Sequence, residues 1–214
     1  MITFYGRKSS DNVQKTLWML LETGQPFKHI ELGGQFGGLE DPSFLKLNPH
    51  GRVPVLQDGD TVIWESNAIV RYLAARYCAG TIWPEDPAQR AIADQWMDWG
   101  QNRLYQDFNR LFWLTIRTPA GDQDAAKIAR TLERLNGYYQ LLEAQLDNQS
   151  YIAGTQLTIA DIQIGSTFYR YFEMDIERPE LPIIANLYAR LQERAAFLQA
   201  VMVPFEELRG RLAY

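Results

Sequence analysis

The chain has few cysteine and histidine residues, on which many enzyme sites depend. Cysteine occurs once among 214 residues, as Cys78, and histidine occurs twice, as His29 and His50. A single cysteine excludes an internal disulfide, a Cys-x-x-Cys redox pair and a cysteine-based zinc cluster. Two histidines argue against a catalytic triad or a metal centre built on imidazole. We therefore expect a site without a metal ion.

Basic runs and long apolar runs are also missing. The net charge is −5, and the Lys and Arg residues are scattered among acids, which argues against nucleic acid as a partner. The apolar stretch before Arg7 is too short for a signal peptide, and no stretch approaches the roughly 18 apolar residues of a membrane span. We expect a cytoplasmic protein that binds neither membranes nor nucleic acid.

The first third of the chain predicts a small sheet. Four short segments are rich in β-branched and aromatic residues and are bounded by Gly, Pro or Asp: residues 2–5, 26–32, 53–57 and 61–64. Helically spaced leucines after Val13 separate the first two segments, and a short helix is expected near 43–47. Asp58-Gly59-Asp60 predicts a tight hairpin between the last two. This order predicts a small α/β sheet.

After Cys78 the pattern predicts helices alone. Helices are expected over residues 92–112, 128–146 and 183–200, and in the second of these apolar residues recur at alternating steps of three and four. A further helix follows Thr158, where Thr158 and Asp161 form a capping-box pattern, so we interpret Asp161 as a folding residue. Residues 79–89 hold two prolines and no periodicity, which indicates a linker. The predicted organisation is a first domain of residues 1–78, a linker of 79–89 and a helical domain of 90–214.

Three polar stretches in the first domain could carry chemistry. In residues 7–12, Ser, Asp and Asn suit a helix N-cap, but a hydroxyl at a helix start also stabilises an anion. In residues 48–55, Pro54 stands one residue into a strand, which suits an edge strand or a cis bond that frees the Val53 backbone for an extended ligand. In residues 64–67, an acid and a hydroxyl open a helix, which suits either capping or a grip on a ligand.

Together and in this order, these stretches resemble the soluble glutathione transferase family, in its bacterial-like, serine-type form. The resemblance covers nearly the whole chain and rests on YGRKSSDNVQKTLWMLLETG, FLKLNPHGRVPVL, WESNAIVRYLAARY and YIAGTQLTIAD. It implies a thioredoxin-like N-terminal domain, an all-helical C-terminal domain and a homodimer. It also implies that glutathione binds to the first domain as co-substrate, facing a hydrophobic substrate site on the second.

The resemblance implies a glutathione site made of six residues of the first domain. These are His50, Arg52, Val53, Pro54, Glu65 and Ser66. In the family, the backbone before a cis-proline pairs with the cysteinyl part of glutathione. An acid and a hydroxyl at the positions of 65 and 66 hold the charged glutamyl end, and groups near 50 and 52 lie by the glycine carboxylate.

Family members differ in the residue that contacts the sulfur, which is Tyr, Ser or Cys. No cysteine lies in the first turn, and counting back from Gly24 places Ser10 at the position of the serine hydroxyl, ahead of Ser9 and then Tyr5. We expect Ser10 to donate a hydrogen bond that stabilises the glutathione thiolate. On the helical domain we expect three residues to line the electrophile pocket: Tyr105, Phe112 and Trp113.

The leading functional hypothesis is therefore a glutathione transferase that attacks a small hydrophobic electrophile, a detoxification reaction. One alternative is a glutathione-dependent reductase of disulfides or peroxides, which some cysteine-free members of the family are. The other is a non-catalytic binding or scaffold protein, since the fold alone does not imply an activity.

Overall fold

The computed structural model describes residues 1–212, and its first part is built on a four-stranded sheet. The strands are β1 (Ile2–Tyr5), β2 (Phe27–Ile30), β3 (Val55–Asp58) and β4 (Thr61–Trp64), in the order β2-β1-β3-β4. β1 is parallel to β2 and antiparallel to β3, and β3 and β4 form the predicted hairpin. β3 begins at Val55 rather than at residue 53, because Pro54 has no N–H to donate to the ladder. The predicted small α/β sheet is confirmed, and its strand pairing is mixed.

Three helices accompany the sheet: α1 (Asp11–Glu22), α2 (Pro42–Leu45) and α3 (Ser66–Tyr77). α1 and α3 pack on each other, and Phe4 of β1 is fully buried in the same core. Neighbouring residues of a strand point to opposite faces, so Tyr5 lies on the other face, where its ring contacts Phe44 of α2. The starts of α1 and α3 lie side by side, where the Ser66 hydroxyl donates to the Asn12 amide oxygen.

Within residues 79–212 the regular elements are helices, as predicted. The α-helices are α4 (Pro87–Trp99), α5 (Tyr105–Phe112), α6 (Ala125–Gln145), α7 (Ile159–Gly165), α8 (Phe168–Glu173), α9 (Pro182–Gln192) and α10 (Ala195–Ala200). A wide π-type turn at 100–104 joins α4 to α5, and a second follows α5 at 113–117. No helix within residues 1–212 is long and apolar enough to cross a membrane.

Two helix boundaries differ from the prediction. α4 begins at Pro87, inside the segment 79–89 predicted as a linker, because the Asp86 carboxylate accepts the N–H of Gln89 and caps the helix. The helix predicted for 183–200 is divided into α9 and α10. Arg194 between them has an extended backbone, and its guanidinium donates two hydrogen bonds to the carboxylate of Glu22.

Asp161 is a fully buried acid that joins α7 to the preceding loop. Its carboxylate accepts the N–H groups of Ile152 and Thr158, both at 2.8 Å, and the Thr158 hydroxyl at 3.1 Å. The predicted capping box is present. Burial raises the pKa of Asp161 from 3.8 to about 6, against these hydrogen bonds, which favour the ionised form.

Replacing Asp161 by Asn should destabilise the protein by about 1–3 kcal/mol, because an NH₂ group would then face an N–H or O–H donor. The pKa of Asp161 is higher in the folded than in the unfolded state, so its contribution to stability decreases as pH rises from 3.8 to about 6. Asp161→Asn should abolish that slope in urea unfolding experiments. The matched substitution of the exposed Asp175 should leave both quantities unchanged, and equal stability of the two variants would contradict the prediction.

Candidate functional site

A cleft of about 470 Å³ lies beside the first turns of α1 and α3. It is lined by Asn12, Asn48, His50, Arg52, Val53, Pro54, Glu65 and Ser66. All six residues predicted to hold glutathione are therefore brought together, and their contact with it stays a prediction. Asn12 and Asn48 were not predicted as site residues, because an Asn at a helix start or in a loop is equally typical of a purely structural role.

Asn48 shapes the loop that carries two of the predicted residues. Its amide oxygen accepts the N–H of His50 at 3.0 Å, and its amide nitrogen donates to the carbonyl of Arg52 at 2.8 Å. Gly51 has a φ of 59°, and a Cβ there would lie 3.1 Å from the carbonyl oxygen of Leu39. This closed loop leaves the side chains of His50 and Arg52 exposed at the wall of the cleft.

The backbone of Val53 faces the same cleft. The Val53–Pro54 bond is cis, the isomer that the family resemblance implies. Val53 precedes the ladder of β3, and within residues 1–212 no hydrogen bond engages its N–H or C=O. Available main-chain groups beside a cleft suit an extended, peptide-like ligand, which pairs with them as an added strand would.

The start of α3 offers free N–H groups to the cleft. The first helical hydrogen bond runs from the N–H of Ile69 to the carbonyl of Glu65, so the N–H groups of residues 66–68 lie ahead of it. Glu65 stands at the N-cap, but its side chain makes no capping hydrogen bond. The Ser66 hydroxyl donates to the Asn12 amide oxygen at 3.0 Å. An uncapped helix start of this kind attracts an anion.

Glu65 also has a strained backbone. Its φ is 70° and its ψ is 115°, although it is not a glycine. Such a conformation costs about 1–3 kcal/mol and persists where the surrounding structure imposes it, most often at functional sites. The exposed carboxylate is thereby held at the cleft, next to the free N–H groups of α3.

Ser10 lies at the start of α1, two residues before the lining residue Asn12. Its N–H donates to the Arg7 carbonyl at 3.2 Å, and its hydroxyl makes no capping bond although it stands at the N-cap. The carbonyl of Ser9 accepts a hydrogen bond from the buried guanidinium of Arg170 at 2.8 Å. Ser10 thus presents a half-buried hydroxyl, not used for capping, at a helix N-terminus.

Tyr5, the third candidate for contact with the sulfur, is placed differently. Its side chain lies on the sheet face that carries α2, and its hydroxyl donates to the Gln57 amide oxygen at 3.4 Å. α1 and its N-terminal turn lie on the opposite face. The geometry therefore favours Ser10 over Tyr5 as the donor at this site.

The three residues predicted to line the electrophile pocket are not equivalent. Phe112 is a core residue: it is 2% exposed, and it packs edge-on against Phe205 with the Arg170 guanidinium 4.6 Å from its ring. Its helix position predicted a lining role because the sequence does not show that Phe205, 93 residues later, covers it. Tyr105 donates its hydroxyl to Asp11 at 2.6 Å and so joins the helical part to the start of α1.

Trp113 does line a cleft. It is 37% exposed and lies at a second cleft of about 400 Å³, together with Arg7 and residues of the loop 34–40. The guanidinium of Arg117 lies 4.1 Å from the Trp113 ring. Within residues 1–212, no three His, Cys, Asp or Glu side chains are grouped so as to hold a metal ion.

A buried polar cluster behind Ser66 was not predicted. Lys15 is 1% exposed, and its ammonium donates to the amide oxygens of Asn67 at 2.6 Å, Gln163 at 2.6 Å and Gln101 at 3.4 Å. Burial lowers the pKa of Lys15 from 10.5 to about 7. The one signal in the sequence is a lysine among the apolar residues of α1, and the sequence does not show that the helical part covers that side of the helix.

Comparison with known proteins gives concordant matches over both parts of the chain. The family model described as glutathione S-transferase, N-terminal domain, matches residues 4–80, and the one described as glutathione S-transferase, C-terminal domain, matches residues 104–195. Glutathione S-transferase GstB of Escherichia coli is 37% identical over 95% of this chain and 99% of its own. Glutathione S-transferase 3 of Zea mays is 32% identical over 75% of this chain and 73% of its own.

A solved structure also matches most of this chain. It is the theta class glutathione S-transferase from the citrus canker pathogen Xanthomonas axonopodis pv. citri with glutathione bound. It is 46% identical, with a TM-score of 0.90, over 95% of this chain and 98% of its own.

The strain at Glu65 generates a prediction about stability. Glu65→Gly should stabilise the fold by about 1 kcal/mol. Glycine adopts a positive φ without a steric penalty, and the greater conformational freedom of glycine in the unfolded chain offsets part of this gain. For a protein of this size the net stabilisation corresponds to a rise in melting temperature of about 2–4 °C. Glu65→Ala is the matched control, since it removes the same carboxylate and keeps the strain. Equal melting temperatures of the two variants would show that the backbone at residue 65 is not strained.

Proposed function

The chain belongs to the glutathione S-transferase family and is a glutathione transferase, and we propose that Ser10 activates glutathione as a thiolate for attack on a small hydrophobic electrophile. One observation carries the proposal. A single cleft brings together the available backbone of Val53, the free N–H groups of α3 and exposed charges of both signs, and its lining residue Asn12 lies two residues after Ser10.

Glutathione matches these groups along its length. Its cysteinyl unit is a short extended peptide, which suits the N–H and C=O of Val53. Its glycine end is a carboxylate, which suits His50 and Arg52. Its glutamyl end carries an ammonium for the Glu65 carboxylate and a carboxylate for the N–H groups of α3 and for the Ser66 hydroxyl, which would exchange its hydrogen bond to Asn12 for one to the ligand. The proposed orientation therefore leads the sulfur toward the start of α1.

Activation of the sulfur requires a modest stabilisation of its charged form. A thiol with a pKa of about 8.5 is mostly protonated at neutral pH, and lowering that pKa by two units requires about 2.7 kcal/mol. A hydrogen bond to a charged group contributes about 1.5–3 kcal/mol, and the N-terminus of α1 adds a favourable field. The Ser10 hydroxyl is therefore a sufficient donor, and the nucleophile is the thiolate of glutathione.

The electrophile is proposed to approach from the second cleft. Arg7 lines that cleft, and its carbonyl accepts the N–H of Ser10, so the turn that carries Ser10 borders the second cleft. Trp113 supplies an aromatic face on the helical side. An electrophile packed on Trp113 would thus meet a sulfur held at Ser10. A homodimer in the cytoplasm is also part of the proposal, supported by the family resemblance.

Ser10→Ala should reduce kcat/KM for an aryl halide by about ten- to a hundredfold, because one charge-assisted hydrogen bond to the thiolate is lost. The pKa of enzyme-bound glutathione, measured from thiolate absorbance against pH, should rise toward the value in solution. Ser9→Ala and Tyr5→Phe are the matched controls and should retain most of the activity. Loss of activity in either control with an unchanged Ser10→Ala variant would overturn the assignment of Ser10.

Glu65→Gln should weaken glutathione binding by about tenfold or more, because the glutamyl ammonium loses its charged partner. Titration calorimetry measures this directly. Stability in urea should change little, since the Glu65 carboxylate makes no capping bond. Glu31→Gln removes an exposed acid outside the cleft and is the control; the reverse result, with stability lost and affinity kept, would restore a structural role for Glu65.

A screen of the wild-type protein with glutathione separates the alternative functions. Conjugation of aryl halides or activated alkenes is the expected result. Turnover of small disulfides or organic hydroperoxides without conjugation would indicate a reductase. If the protein does not bind glutathione, the result would indicate the non-catalytic alternative, a protein that binds another partner or serves as a scaffold.

A further inference from the structure

Lys15 is a buried ammonium whose hydrogen-bond partners are neutral. Its three donors are directed at three amide oxygens, those of Asn67, Gln163 and Gln101, and no carboxylate among the described residues is hydrogen-bonded to it. Neutral amides compensate for the lost hydration of an ammonium only in part. An anion that comes near would therefore stabilise the charged form of Lys15.

The position of these amides connects Lys15 to the glutathione cleft. Asn67 is the second residue of α3 and follows the lining residue Ser66. Gln101 lies in the wide turn between α4 and α5, and Gln163 lies in α7. The ammonium thus holds the first turn of α3, whose N–H groups face the cleft, against two elements of the helical domain.

Other charged groups surround Lys15 without bonding to it. Those that act on its charge are Asp11 at the start of α1 and Glu65 and Arg71 of the α3 region. Its ammonium also lies 5.8 Å from the centroid of the Tyr105 ring. The Asp11 carboxylate already accepts the Tyr105 hydroxyl and the N–H of Asn12. Arg71 is paired with two acids of α4, Asp94 and Asp98. Where α10 packs on α1, Glu22 and Arg194 neutralise each other.

We propose that Lys15 is a positioning residue of the glutathione site that takes up a proton from solvent when the glutamyl carboxylate binds at the first turn of α3. The inference rests on the proposed function, because it requires that carboxylate at that turn. A negative charge brought close to a buried amine favours the ammonium. By linkage, the ammonium favours binding of the carboxylate to the same extent.

The pH range of the effect follows from the pKa of Lys15 in the free protein, which burial lowers to about 7. Well below that pH, Lys15 is charged with or without ligand, and binding takes up no proton there. Above it, the amine is neutral in the free protein and gains a proton on binding, so affinity decreases as pH rises. If binding raises the pKa of Lys15 by about one unit, affinity falls up to about tenfold across this range.

The test is titration calorimetry of the whole protein with S-methylglutathione, in which the sulfur cannot ionise. Binding is measured from pH 6 to 8.5 in buffers of different ionisation heat, which gives the number of protons taken up. We expect the wild type to take up several tenths of a proton more than Lys15→Met near pH 7.5. Its affinity should also fall about three- to tenfold more than that of the variant between pH 6 and 8.5. Lys28→Met, at an exposed lysine, is the control and should behave as the wild type.

A second variant keeps the fold intact if Lys15→Met does not fold. Gln163→Glu preserves the shape of the side chain and places a carboxylate on the ammonium, which then stays charged without ligand. Its excess proton uptake should disappear while S-methylglutathione still binds. Proton uptake equal to that of the wild type in Lys15→Met or Gln163→Glu would overturn the proposal. Failure of the wild type to bind S-methylglutathione would instead contradict the proposed function, so the two failures are distinguishable.

Discussion

The hydrogen bonds of one amide, that of Asn12, join the elements on which the site depends. Its oxygen accepts the hydroxyl of Ser66 at the start of α3, and its nitrogen donates to the hydroxyl of Tyr105 in the helical domain. Tyr105 in turn donates to Asp11, the first residue of α1. The starts of α1 and α3 are therefore fixed relative to each other and to the helical domain. The distance from Ser10 to the free N–H groups of α3 depends on this connection.

The two helix starts at the site lack a side-chain cap from the N-cap residue, as do those of α2, α8, α9 and α10, whereas three helices have one. α4, α6 and α7 begin with side-chain caps, provided by Asp86, Asp124 and Thr158. At α1 and α3 the N-cap residues Ser10 and Glu65 make no such bond, and Glu65 is strained as well. Each missing cap is worth about 1 kcal/mol of stability. Local stability is thus reduced where a ligand can satisfy the same N–H groups, which is how binding sites depart from ideal local structure.

Much of the fold could be predicted, because its signals are local. Four short apolar segments and a hairpin turn were sufficient for the sheet, and the spacing of apolar residues was sufficient for the long helices. The predictions are wrong where a contact with a residue far away in the sequence determines the structure. The helix predicted for 183–200 is interrupted because Arg194 reaches Glu22 of α1, and Phe112 is core because Phe205 covers it. The family resemblance supplied the site loops at 48–55 and 64–67. The residues alone left the first open between an edge strand and a cis bond that frees the Val53 backbone, and the second open between capping and binding.

The elements and the two-part architecture follow from local sequence patterns, since each depends on neighbours within a few turns of the chain, and the residues that meet at the cleft were expected from the family resemblance. Tertiary structure alone decided how those residues are used. It left the side chains of Ser10 and Glu65 without a capping hydrogen bond. It also placed Tyr5 on the opposite face of the sheet and buried Lys15 among three amides. These outcomes depend on contacts between residues as far apart as 148 positions, as for Lys15 and Gln163. Burial and hydrogen-bond partners across such separations are set when the two domains pack, and local pattern does not encode them.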